Sequence, residues 1–178
     1  MSNDVKVVVY IAASIDGYIA ADNDDLSFLA SVEKEGEDYG YADFVSTIDT
    51  VIMGRKTYEK VLSFGIPYPH SERKTYVITR THQESKDSVE FYNGNLSELV
   101  SELKSKKGKN VFVDGGAQIV NEFLKLDLVD EIIVSYVPVV LGSGTKLFHS
   151  QGTSSKWKTK SAKQFETGLV QIHWERAE

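Results

Sequence analysis

Residues 110–140 read NVFVDGGAQIVNEFLKLDLVDEIIVSYVPVV, and the succession of patterns in this stretch decides the fold. NVFVD is short, apolar and β-branched, which predicts a strand. Gly115 and Gly116 interrupt it, AQIVNEFLKL then spaces its apolar residues as a helix does, and DEIIVSYVPVV returns to a nearly unbroken apolar run. Strand, helix, strand is the crossover that joins two parallel strands, and strands apolar on both sides belong to a sheet covered by helices on each face.

The same alternation extends in both directions. Val5–Ala13 predicts a first buried strand, followed by the loop SIDGYIAADND. Leu26 to Ile48 predicts helix, broken at its polar centre EKEGEDYG. TVIMG is a second strand, RKTYEKVLSFG a helix ended by glycine, and IPYPHSE a loop held by prolines. KTYVIT and SVEFY are the third and fourth strands. NLSELVSELKSKK is a helix with Asn95 as N-cap and Glu98 at the capping-box position. After Leu147, SKWKTKSAKQF and GLVQIHWER alternate on either side of Glu166-Thr167-Gly168, as an antiparallel hairpin does. The expected architecture is α/β: a mainly parallel central sheet with helices on both faces and an antiparallel C-terminal hairpin at the edge, in one domain over 1–178.

Composition narrows the function. With 41% hydrophobic and 26% charged residues and no apolar stretch of membrane-spanning length, the chain reads as soluble, with no membrane partner, and Asp4 and Lys6 flanking the first apolar segment argue against a signal peptide, so the cytoplasm is expected. The absence of cysteine excludes disulfides, thiolate metal sites and cysteine nucleophiles. A net charge of −6 works against a nucleic-acid groove, and KSKKGK at 104–109 reads as a solvated helix end with Gly108 as its cap. His70, His82, His149 and His173 share no metal-ligand spacing, so no metal is expected and all four read as surface or edge residues.

Sheets of this class hold ligands at the carboxyl ends of their strands. Three loops there carry unusual residues: Gly54-Arg55-Lys56-Thr57, Thr79-Arg80 and Gly115-Gly116-Ala117. In the first, a new helix presents free N–H groups beside Arg55, Lys56 and the Thr57 hydroxyl. A solvated first turn is the alternative, but cations at a helix N-terminus oppose the macrodipole unless an anion joins them. The Gly-Gly pair is either a tight turn or a place where a ligand meets backbone without a Cβ. Arg80 is either a solvated loop residue or a partner for a phosphate monoester. Neither G-x-G-x-x-G nor a P-loop is present. For proton chemistry, Asp25 precedes LSFL, so it is either a helix N-cap or a carboxyl raised in pKa by apolar neighbours and suited to acid catalysis.

Together YIAASIDGYIA, TVIMGRKTYE, RKTYVITR, VFVDGGAQIVNEFL and SYVPVVLGSGTKLF, in order across nearly the whole chain, resemble the dihydrofolate reductase superfamily. S-x-D-G in the first loop and P-x-x-L-G-x-G after the sixth strand are similar to the branch typified by the reductase domain of the bifunctional riboflavin-biosynthesis deaminase-reductase. The resemblance implies a dihydrofolate reductase-like three-layer fold and NADPH as hydride donor. Ala13 and Ile19 would hold the nicotinamide, Gly54, Arg55, Lys56 and Thr57 the phosphates, and Thr79 and Arg80 the adenosine 2′-phosphate. Gly115, Gly116, Ala117 and Gln118 would lie against the pyrophosphate, with an unusual cis peptide between the two glycines.

On the substrate side, Asp25 through Phe28 is similar to the carboxylate segment that holds and protonates a pterin, and Arg73 falls near the arginine that holds a folate tail. Asp16 and Phe28 complete the expected substrate contacts. The implied activity is reduction of the ribosylamino-pyrimidine of riboflavin synthesis, with a dihydropterin such as dihydrofolate as the alternative. A protein that binds NADPH without efficient catalysis is a further reading, and a purely structural module a third. Homodimers are common in this branch, and SKWKTKSAKQF near a sheet edge could pair across a two-fold axis. A carboxylate beside a pyrophosphate would repel it, so Asp114 is expected to turn toward a backbone or hydroxyl partner.

Overall fold

The computed structural model describes residues 4–150 and 153–177. The first strands are β1 (Val7–Ser14) and β2 (Tyr18–Ala20), followed by two short 3₁₀ turns, Asp22–Asp24 and Ser27–Val32. Then come α1 (Tyr41–Ser46), β3 (Ile48–Gly54), α2 (Arg55–Ser63), β4 (Lys74–Ile78), β5 (Val89–Tyr92) and α3 (Leu96–Ser105). The chain ends with β6 (Asn110–Gly115), α4 (Ala117–Lys125), β7 (Glu131–Val137), β8 (Thr145–Lys146), β9 (Trp157–Gln164) and β10 (Val170–Arg176).

Eight strands form one sheet in the order β5-β4-β3-β6-β1-β7-β10-β9. All neighbours pair parallel except β10, which runs antiparallel to both β7 and β9. This is the expected mainly parallel sheet with an antiparallel C-terminal hairpin at its edge. Each β-branched strand buries both faces. Val7, Val9, Val111 and Val113 point to one side, where Leu99 and Val100 of α3 and Val120 and Phe123 of α4 pack. Val51, Met53, Val77 and Phe112 point to the other, against Phe44 of α1 and Tyr58 of α2. No helix among the described residues is long and apolar enough to cross a membrane.

The break expected at EKEGEDYG is present, and the main difference lies in the helical segments on either side of it within Leu26–Ile48. The first is only the 3₁₀ turn Ser27–Val32, the second is the six-residue α1, and Ile48 already belongs to β3. Glu33, Lys34, Glu35 and Glu37 give the segment between them no apolar stripe, and Gly36 and Gly40 take positive φ, so helical hydrogen bonding has nothing to hold it against the core. The Asp38 carboxylate instead accepts from Gly40 N and Ala42 N, both at 2.9 Å, and starts α1 afresh. Farther on, Asn95 caps α3 as predicted, accepting from Ser97 N at 2.8 Å and Glu98 N at 3.1 Å. The helix ends at Ser105, and Gly108 packs on the Asp49 carboxylate rather than capping it.

Candidate functional site

The chain crosses from β3 to α2 and from β6 to α4 side by side, because Met53 and Gly115 are register partners on adjacent parallel strands. At both crossings the helix begins without a side-chain cap, on Gly54 and on Gly116. First-turn N–H groups therefore face the carboxyl end of the sheet with no partner from a capping side chain. The two glycines also let the segments close on each other: a Cβ at Gly54 would lie 3.1 Å from Ile119 Cγ1, and one at Gly116 would lie 3.2 Å from Thr57 Oγ1. Gly115 has φ +111° and the Gly115–Gly116 peptide is cis. The result is a bare-backbone cradle flanked by exposed Lys56 and Gln118 and by Arg55, whose Nε lies 3.4 Å from Glu59 Oε1. Ala117 is buried beneath it.

The ends of β1 and β4 flank this cradle in the sheet order. Ala13 is fully buried, Ile19 packs against the same core, and Arg80 is exposed, without an ion pair among the described residues. Thr79 Oγ1 accepts from Thr81 N at 3.2 Å and holds the turn that carries Arg80. Uncapped helix starts, glycines that keep side chains away, and exposed cations are the donor set a pyrophosphate with a further phosphate requires, so these residues fit a phosphorylated dinucleotide.

On the other side of β1 a cleft of about 560 Å³ opens between the sheet and the segment 29–41. Leu29, Val32 and Leu169 form apolar walls, with Tyr39 and Tyr41 beside them. Its floor is polar. Gln171 Nε2 lies 3.0 Å from Tyr10 Oη, 3.0 Å from Ser135 Oγ and 3.2 Å from Tyr39 O, and the Tyr10 hydroxyl donates to Tyr39 O at 3.1 Å. Burial pushes the Tyr10 phenol up in pKa, and burial together with the Asp114 charge pushes Tyr41 up to about 12. Sequence reasoning missed Tyr10, Ser135 and Gln171. The signal was available in Ser135, a small polar residue inside the largely apolar IIVSYV, since a polar group in a buried strand needs a partner.

Several expected site residues stand elsewhere. Asp16 is a clamp: its Oδ1 accepts from Ser14 Oγ at 2.7 Å and Leu141 N at 3.0 Å, and its Oδ2 from Gly142 N at 2.7 Å. These bonds, led by that of Ser14, bring its carboxyl down to about 2. S-x-D-G thus ties the loop after β1 to L-G-x-G after β7. Phe28 is buried with Val32, Val137 and Leu169 in a small apolar cluster, where it supports the cleft wall. Arg73 turns toward α1, donating from Nη2 to Val45 O at 3.2 Å. Asp25 is exposed, and its oxygens accept from Ser27 Oγ at 2.7 Å and Ser27 N at 3.0 Å. The Ser27 hydroxyl holds the Asp25 carboxyl below its ordinary range, the opposite of the raised pKa expected from LSFL.

Asp114 turns neither to backbone nor to a hydroxyl. Its Oδ2 lies 3.7 Å from Nε2 of His70, which is buried at 2% exposure instead of lying at the surface. Tyr68, pushed up to about 12 by burial, lies beside the same pair. His173, also read as an edge residue, is half-buried on β10 and bonded to Glu131 at 2.7 Å.

The fold and this division into a bare-backbone cradle and a polar-floored cleft mark a class of α/β protein built on one mainly parallel sheet with its ligand loops at the strand ends. Residues 68–171 match the RibD C-terminal domain family, and the chain belongs to that family. It is 43% identical to the uncharacterized protein YwjB of Bacillus subtilis (strain 168) over 97% of this chain and 98% of that one. A solved structure of a candidate riboflavin biosynthesis protein from Shewanella sp. PV-4 superposes with a TM-score of 0.90 at 31% identity, covering 98% of this chain and all 100% of that one. The bifunctional diaminohydroxyphosphoribosylaminopyrimidine deaminase and 5-amino-6-(5-phosphoribosylamino)uracil reductase of Thermotoga maritima shares the fold, with a TM-score of 0.72 at 16% identity. There the match covers 98% of this chain and 57% of the longer protein.

Proposed function

We propose that the chain is an NADPH-dependent reductase of a small nitrogen heterocycle, of the kind represented by 5-amino-6-(5-phosphoribosylamino)uracil or a dihydropterin. The observation that carries this reading is the joining of two uncapped helix starts, at Gly54 and Gly116, into one cradle beside exposed Arg80. NADPH, when bound, would supply the hydride. Backbone N–H groups at Arg55–Thr57 and Ala117–Gln118 would take its pyrophosphate, Arg80 and Thr79 its 2′-phosphate, and Ala13 and Ile19 the nicotinamide carboxamide.

Ala12, next in the chain to Ala13, lines the cleft, so a ring held there lies one residue away from the proposed nicotinamide contact. The walls and floor orient that ring and keep water from it, which is most of the work such a reaction asks of the protein. For the proton we assign Asp114 in place of Asp25: it sits at the end of β6, partly shielded, with Oδ2 facing His70 Nε2 at 3.7 Å. The exposed edge strand β9 is further proposed to pair across a two-fold axis in a homodimer acting in the cytoplasm, with no nucleic-acid partner.

The reading is tested by following nicotinamide absorbance while the protein is offered dihydrobiopterin, dihydrofolate and the riboflavin-pathway pyrimidine in parallel. Substrate-dependent loss of NADPH is expected. Tight NADPH binding without turnover of any of them would favour the second reading, a binding protein, whose attraction is that the cofactor cradle is better furnished than the proton donor.

A further inference from the structure

The cleft beside the cradle carries its own account of what it takes. Its contact surfaces are uncharged: apolar Leu29, Val32 and Leu169 on the walls, and the hydroxyls of Tyr10 and Ser135, tied to Gln171, on the floor. Charge is confined to the rim, which is acidic. Glu33, Glu35, Glu37 and Asp38 line it, and Lys34 is the one cation among the described lining residues. Lys34 is already bonded to Glu166. Arg73, which sequence reasoning offered to an anionic tail, donates to Val45 O and does not line the cleft. Beyond Tyr41 the nearest charges are a carboxylate, Asp114, whose effect on the Tyr41 phenol is the larger, and the Arg73 guanidinium, which is turned to Val45 O.

Resting on the reductase reading above, we infer that the cleft takes an unphosphorylated nitrogen heterocycle, uncharged or cationic, and disfavours both phosphate monoesters and dicarboxylate tails. A phosphate monoester carries roughly −1.5 to −2 at neutral pH and is held by Arg, Lys or a helix N-terminus. The uncapped helix starts at Gly54 and Gly116 are assigned to the cofactor, and Lys34 is engaged with Glu166. A dianion in the cleft would lie near several carboxylates within about one Debye length, ~10 Å at moderate salt, with no uncommitted lining cation to offset them. An uncharged flat ring meets no such penalty. It lies between apolar and aromatic walls, and its N–H groups meet the hydroxyl oxygens of Tyr10 and Ser135 on the floor.

The test compares 5-amino-6-(5-phosphoribosylamino)uracil with its dephosphorylated ribosylamino counterpart, by equilibrium titration of the full chain saturated with NADP⁺. The dephosphorylated compound is expected to bind at least about tenfold tighter, and the gap is expected to narrow as salt is raised, because screening weakens the repulsion. In the Glu33→Lys, Glu35→Lys double variant, which changes two exposed side chains on the rim, the phosphorylated compound gains relative affinity. Equal or tighter binding of the phosphorylated compound to the parent protein overturns the inference, as does a gap indifferent to salt. Failure of both compounds to bind a protein that does bind NADPH overturns it too. A protein that does not bind NADPH at all instead removes the reductase reading, so the two failures are told apart by the cofactor titration run first.

Discussion

At the scale of single residues, the strand-end loops read most clearly from sequence, because two of them combine a glycine with a helix start that leaves first-turn donors without a capping side chain, and the third exposes an arginine. Gly54, Gly116 and Arg80 each lie where such a reading puts them, at the ends of β3, β6 and β4. Arg80→Ala is expected to reduce discrimination between NADPH and NADH by roughly ten- to a hundredfold, which corresponds to about 1.5–3 kcal/mol for hydrogen bonds to a charged group. Fluorescence titration with both nucleotides checks it, and unchanged discrimination would remove Arg80 from the site. The carboxylates were harder to read. An Asp beside apolar neighbours suggests desolvation, yet Ser27, two residues away, supplies both a hydroxyl and an N–H that keep Asp25 ionised. Nothing in VFVDGG announces that His70 would be buried opposite Asp114, because the contact joins residues far apart in the chain. Asp114→Asn is expected to lower kcat by about a hundredfold or more with NADPH affinity retained, whereas Asp25→Asn keeps kcat near that of the parent protein. Steady-state kinetics on both variants would expose the reverse order if the assignment is wrong.

At the scale of elements, periodicity located all six parallel strands and the hairpin, because a buried strand must be apolar whatever surrounds it. Over 26–48 it places the break at EKEGEDYG, where Gly36, Gly40 and the Asp38 carboxylate make the loop of the cleft rim, but it overstates the flanks, which are a 3₁₀ turn and a six-residue helix. The hairpin depends on a further feature invisible to periodicity. Glu131, at 6% exposure, accepts from Lys6 at 2.5 Å and Lys160 at 2.8 Å and pairs with His173 at 2.7 Å, joining β7, β9 and β10 to the residue that leads into β1. Burial alone would raise its pKa; the bonds from His173, Lys160 and Lys6 outweigh burial and hold it well below the carboxylate range. A carboxyl depressed in the folded state stabilises above its unfolded pKa, about 4.3, and loses that contribution as pH falls through that value toward the lower folded one. Glu131→Gln should therefore cost about 1–3 kcal/mol at neutral pH, less than a fully buried pair would, since both lysines are partly solvated. Denaturation curves should show the deficit shrinking below pH ~4; a deficit that persists unchanged into acid would contradict the network.

At the scale of the whole molecule, the sheet divides the work. Its carboxyl edge gathers backbone donors and cations, where the proposed cofactor would sit, and one face of its central strands floors a cleft with neutral hydrogen-bonding groups under an acidic rim. The strand-end cradle was legible because it is made of short local motifs. The cleft was not, because Tyr10, Ser135 and Gln171 come from three strands that meet only when β1, β7 and β10 pair. The most direct measurement is nicotinamide absorbance after an uncharged dihydropterin is mixed with the NADPH-loaded protein. Substrate-dependent oxidation of NADPH, strongly reduced in the Asp114→Asn protein, is the predicted result. NADPH that stays reduced with dihydropterin, dihydrofolate and the riboflavin-pathway pyrimidine alike, on a protein that binds it tightly, would contradict the account.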